Sequence, residues 1–148
     1  MGTKAEVAAE IFSKGFNCAQ AVLSSHSDKF GVDTTTAKKL AGAFGGGMAY
    51  NGEVCGAVTG AFMLIGLKHG KHIEGDDASK ATTYKLTNNF IEKFKEEFGS
   101  IRCKDLLKYN LNIEEEYLKA KELGLFKTLC PLLVKRSVEL AEELLEIV

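Results

Sequence analysis

At 148 residues the chain fits one domain, expected over 1–148, and is long enough to bury a real hydrophobic core. A formal net charge of −1 and a pI near 6.3 leave no strongly basic face, which excludes nucleic acid as the main partner. The N-terminus, MGTKAEVAAEIFSKGF, has no apolar signal core, and the apolar run over 54–67 falls short of the roughly 20 residues that span a bilayer. A soluble, cytoplasmic protein without membrane insertion is expected.

With one proline and almost no β-branched alternation, helical periods of three and four dominate. Thr3 with Glu6 makes a capping box for a first helix that ends near Ser13, with Gly15 as its stop. Asn17 with Gln20 caps a second, expected to reach Phe30 with Ala19, Val22, Leu23, His26 and Phe30 on its apolar face. Asp33 and the threonines after it open a third helix through Phe44. Residues 45–53, GGGMAYNGE, read as a glycine-rich loop.

The stretch GEVCGAVTGAFMLIGL is apolar on nearly every side and so forms the central helix, closed by Gly70. Gly56 and Gly60 stand one turn apart in it, each costing about 1 kcal/mol relative to alanine. That spacing points to a neighbour packed closely on their face, a helix of the same chain or of a homodimer partner, in preference to a ligand.

Glu74, Asp76 and Asp77 suit the start of a fifth helix ending at Phe98 before Gly99, with Phe90, Ile91, Phe94 and Phe98 as its core stripe. A short helix follows Ser100 to about Lys108. Asn112 with Glu115 caps another, closed by Gly124, and Pro131 starts the last. The expected fold is all-α, a single-domain bundle of about eight helices around the central apolar one.

This assignment puts all four cysteines at helix N-termini: Cys18 after its cap Asn17, Cys55 at the opening of the central helix, Cys103 in the first turn after Ser100, and Cys130 at the cap before Pro131. Free amides and the positive dipole end stabilise anions there. A thiolate so placed can drop from about 8.5 toward about 3.5–7.5, and the same amides can serve the sulfurs of an iron–sulfur cluster. A lone cysteine is ordinarily inert core, but four at helix starts favour a redox or metal role. No CxxC occurs, so neither a zinc ribbon nor a thioredoxin motif is available. Gly45, Gly46 and Gly47 are either a simple helix stop or, with Gly56, backbone that approaches a cofactor. His69 and His72 in KHGKH form only a weak metal pair, His26 packs, and the four tyrosines offer no platform for nucleic acid.

In their order, Cys18, the hexapeptide CGAVTG at 55–60, Cys103 and Cys130 resemble the C_GCAxxG_C_C family of four-cysteine redox-active proteins. GFNCAQAV, FGGGM with GEVCGAVTGA, FGSIRCKDLL and CPLLVKRSVELAEELL carry the resemblance along nearly the whole chain. Ala49, and YN at 109–110, stand where glycine is expected in relatives. The resemblance implies redox activity without naming a reaction. A related domain is fused in split-Soret cytochromes, which hold an iron–sulfur cluster beside haem, so the analogy implies a cluster here. Without a CxxCH, no covalent haem is expected.

The functional expectation is therefore a redox-active, electron-transfer protein serving an unnamed redox partner. Cys18, Cys55, Cys103 and Cys130 act in it either as iron–sulfur ligands or as a thiol–disulfide couple. The alternative is a non-redox module in which the same cysteines hold structural zinc or the fold binds a small ligand.

Overall fold

The computed structural model describes residues 2–147; residues 1 and 148, which the expected domain includes, lie outside the described residues. Eight helices follow one another: α1 (Lys4–Ser13), α2 (Cys18–His26), α3 (Thr34–Leu40), α4 (Gly56–His69), α5 (Asp77–Phe98), α6 (Cys103–Leu107), α7 (Glu114–Glu122) and α8 (Leu129–Leu145). A 3-10 turn, Ser27–Phe30, and a single turn, Gly45–Met48, join them. Among the described residues there is no strand, only an isolated antiparallel bridge between Val54 and Arg102. No helix among the described residues is long and apolar enough to cross a membrane.

The all-α expectation holds, and α4 is the central helix. It lies on α2, α8 and α5, and buries Ala57, Val58, Ala61, Leu64 and Ile65 completely. Its glycines meet α2 of the same chain. A methyl group on Gly60 would stand 2.9 Å from Val22 Cβ and 3.0 Å from the Ala19 carbonyl oxygen. One on Gly56 would stand 3.0 Å from the Ala19 nitrogen. Close backbone approach is what offsets a glycine at the first position of the helix and another in its interior. Phe90 and Phe94 of α5 are fully buried, while Ile91 and Phe98 are half-buried beside them.

Four boundaries differ from expectation, each for a local reason. The second helix stops at His26, whose φ of −131° leaves the helical range, and the chain tightens into the 3-10 turn. His26 itself is fully buried, with Nε2 2.8 Å from the Glu142 carboxylate. The third helix stops at Leu40, because Asn17 Nδ2 donates to the Ala41 and Gly42 carbonyls, 3.2 Å from each. Asn112 does not cap α7, whose N-cap is Ile113; its side-chain amide instead donates to Asn51 Oδ1 at 2.7 Å. The last helix begins at Leu129, so Cys130 is its second residue and not its cap. Pro131 falls third, still among positions that need no intrahelical N–H.

The glycine segment is stranger than a loop. Gly46, Gly47, Met48, Ala49 and Tyr50 all have positive φ, at 64°, 68°, 68°, 52° and 72°. A left-handed residue with a Cβ costs roughly 1–2 kcal/mol. Three such residues in a row survive because hydrogen bonds within the loop close the turn: Tyr50 N to Gly45 O at 3.2 Å, Gly52 N to Gly46 O at 3.2 Å, and Glu53 N to Gly47 O at 3.0 Å. Ala49, where a glycine was expected, is exposed and has φ 52°. Ala49→Gly is accordingly expected to stabilise the fold by about 1 kcal/mol, raising Tm by about 2–4 °C in a thermal melt.

Candidate redox site

Each cysteine is placed by backbone chemistry around it. Cys18 follows a complete capping box, in which Gln20 N donates to Asn17 Oδ1 at 2.8 Å and Asn17 N to Gln20 Oε1 at 2.9 Å. The segments that carry Cys55 and Cys103 are joined by the short bridge. Cys55 N donates to the Ile101 carbonyl and Cys103 N to the Glu53 carbonyl, both at 2.7 Å, and an Arg102–Glu53 ion pair at 2.8 Å spans the outside. Cys130 N donates to the Leu125 carbonyl at 3.0 Å.

The expected glycines press against these same segments. A Cβ on Gly47 would lie 2.7 Å from Cys103 Cβ and 2.6 Å from the Glu53 nitrogen. One on Gly45 would lie 2.4 Å from Asn17 Cβ, and one on Gly56 3.2 Å from Cys18 Cβ. Gly46 lies under the Tyr50 ring, whose Cδ1 would be 2.3 Å from an added methyl. Bare α-carbons are needed here to pack cysteine-bearing backbone together.

The four thiols are free, and none of the four residues is more than 8% exposed. All four line one cavity of about 790 Å³, together with Gly45, Gly46, Gly47 and Gly56. Cys18 is the hub. Donation of its S–H toward Cys130, then toward Cys55, together with burial, holds its pKa well above the ordinary thiol range. Cys55 moves the other way. The Cys18 S–H favours its anion most, burial opposes it, and the Ala57 and Val58 amides at the start of α4 add to the anion's stability. As N-cap, Cys55 makes no cap hydrogen bond of ordinary geometry, so these amides act as directed dipoles. Cys103 stands further off. Burial, then the charges of Cys55 and Cys130, push it up to about 12. Ionisation is therefore favoured at Cys55 and disfavoured at Cys18 and Cys103.

The raised Cys103 and Cys18 make the fold sensitive to alkali. In the unfolded chain Cys103 ionises near the ordinary 9.0, whereas the folded chain holds it neutral to about 12. Its contribution is fully present below pH 9 and is lost as pH rises through that window; Cys18, also raised, acts in the same direction. Urea unfolding from about pH 8 to about pH 11 should show stability falling by roughly 1 kcal/mol per pH unit, with a flatter profile in Cys103→Ala.

The rest of the cavity wall was not singled out from sequence. Phe12, Phe16, Tyr50, Tyr117 and Phe126 line it, and Lys127 is the one charged residue among the lining. Tyr50 and Tyr117 meet edge to face at 5.6 Å, and Tyr117 and Phe126 form a tilted pair at 5.3 Å. The signal available was Tyr50's place directly after the glycine segment, where the backbone aims its ring across Gly46.

No curated protein and no solved structure matches this chain. A family model described as "Putative redox-active protein (C_GCAxxG_C_C)" matches residues 16–144, which takes in all four cysteines, the glycine segment and most of the cavity wall. The chain belongs to the C_GCAxxG_C_C family of redox-active proteins.

Proposed function

We propose that the chain works as a thiol–disulfide redox protein whose couple is Cys55 and Cys18, with Cys130 in reach for exchange. What supports this is that Cys18, Cys55 and Cys130 line one cavity, where the Cys18 thiol interacts with both of the others. Cys55 supplies the anion needed for attack on an oxidised partner, and Cys18 supplies the sulfur that displaces the mixed disulfide. Two electrons leave the sulfurs as the S–S bond forms. Oxidation of the reduced protein with a small disulfide, followed by alkylation and peptide mass mapping, should give a bridge at Cys18 with Cys103 alkylated. Four alkylated thiols after that treatment would sink the reading.

A second reading is supported by the placement of all four thiols on one cavity. Four cysteines are the donor set of common iron–sulfur clusters. In a four-iron cluster each sulfur serves its own iron, so the ligands need not surround one point. The residues match such a group in donor type and number, and all four line the same cavity. Cys18, Cys55, Cys103 and Cys130 would hold it, and amides at the starts of α2, α4, α6 and α8 would tune its potential. When bound, the cluster supplies one-electron transfer. A single zinc ion is less well served, since no group of three or more Cys, His, Asp or Glu among the described residues is disposed to hold one metal ion. Anaerobic reconstitution with iron and sulfide separates the two: stoichiometric iron and a visible chromophore select the cluster, and colourless, iron-free protein selects the dithiol.

A further inference from the structure

The cavity is larger than a thiol–disulfide couple requires. At about 790 Å³ it falls in the range of roughly 300–1,000 Å³ typical of sites for small organic molecules. Its wall is aromatic and aliphatic: Phe12, Phe16, Tyr50, Tyr117 and Phe126, with Leu106 among the aliphatic side chains. Few polar side chains face it, and Lys127 makes no ion pair among the described residues. A peptide strand entering this space would bring amides and carbonyls that such a lining leaves unpaired, which is unfavourable. A flat ring meets no such penalty and gains ring–ring contact.

Resting on the dithiol reading above, we propose that this cavity binds a quinone-type aromatic molecule, which the Cys55–Cys18 pair reduces. Tyr50 and Tyr117 stand edge to face on the cavity wall, and each carries a phenol that can donate a hydrogen bond to a ring carbonyl. Lys127 favours the negative charge that develops on quinone oxygen as electrons arrive. The step balances. Cys55 enters as thiolate and Cys18 as thiol, the Cys18 S–H bond breaks, and the Cys18–Cys55 S–S bond forms. Two electrons pass to the ring. The Cys18 proton and one from solvent end on the two oxygens, giving the hydroquinone.

Duroquinone is a suitable probe, because its fully substituted ring blocks thiol addition. The full-length reduced protein, mixed with it anaerobically, should yield about one hydroquinone per chain with loss of two thiols by mass. The rate should saturate with quinone concentration. Tyr50→Phe should raise the half-saturating concentration about tenfold, the worth of one lost hydrogen bond. Absence of hydroquinone overturns the proposal. So does a rate that stays linear in quinone and is indifferent to Tyr50→Phe, since that is the behaviour of any free dithiol. If a small disulfide still oxidises the same two thiols while duroquinone does not, the quinone site falls and the dithiol reading stands. If neither oxidises them, both fall.

Discussion

Gly47→Ala is expected to destabilise the protein by about 2–5 kcal/mol and to lower Tm by roughly 10 °C. Two costs add. The residue sits at φ +68°, where an alanine is strained by about 1–2 kcal/mol. The new methyl would also lie 2.6 Å from the Glu53 nitrogen and 2.7 Å from Cys103 Cβ, an overpacking of about 1–3 kcal/mol. Relief requires residue 53 to retreat, and the Glu53 carbonyl is the acceptor for Cys103 N. The bridge that joins the segments of Cys103 and Cys55 therefore loosens, and Cys103 should alkylate faster in native buffer. Gly31→Ala separates the two costs, because Gly31 has φ +83° but nothing within 4 Å of an added methyl. It should lose only the left-handed penalty. Equal losses in the two variants would mean that crowding against the cysteine segment contributes nothing.

The same glycine shows where the sequence was informative and where it was not. Helix starts were legible wherever the chemistry is local. The Thr3–Glu6 and Asn17–Gln20 boxes each close within three residues, and both form. The Gly56 and Gly60 spacing announced a close neighbour, and α2 is that neighbour. The Val54–Arg102 bridge left no trace, since it joins segments about fifty positions apart through backbone atoms that every residue shares. The left-handed run was hidden for a related reason. Met48, Ala49 and Tyr50 disfavour that conformation locally, and only hydrogen bonds made by the folded loop offset it. Asn112 misled because its side chain is spent on Asn51, a partner no helix period could reveal. Four cysteines at helix N-termini could be read from caps, but their gathering on one cavity depends on that bridge and on the bare α-carbons of Gly45, Gly47 and Gly56.

Cys18→Ala is expected to slow the alkylation of Cys55 by iodoacetamide about tenfold at pH 7, by removing a donor to a charged sulfur. The direction follows from what favours the Cys55 anion. The Cys18 S–H is the largest contribution, ahead of the Ala57 and Val58 amides, and burial works against all three. Without the S–H, the remaining amides face an undiminished burial cost, so the rate inflection moves to higher pH. Its sign in stability is fixed by the same shift. A depressed Cys55 stabilises the fold above the ordinary thiol range, and that contribution is lost as pH falls through its folded value. Cys18→Ser then divides the two roles assigned to Cys18. A hydroxyl at this position retains a donor toward Cys55, so alkylation should stay fast, yet it cannot form an S–S bond, so no bridge to Cys55 closes on oxidation. If the serine variant alkylates as slowly as the alanine one, the acidity of Cys55 does not come from proton donation at residue 18. The helix-start amides would then be its main source.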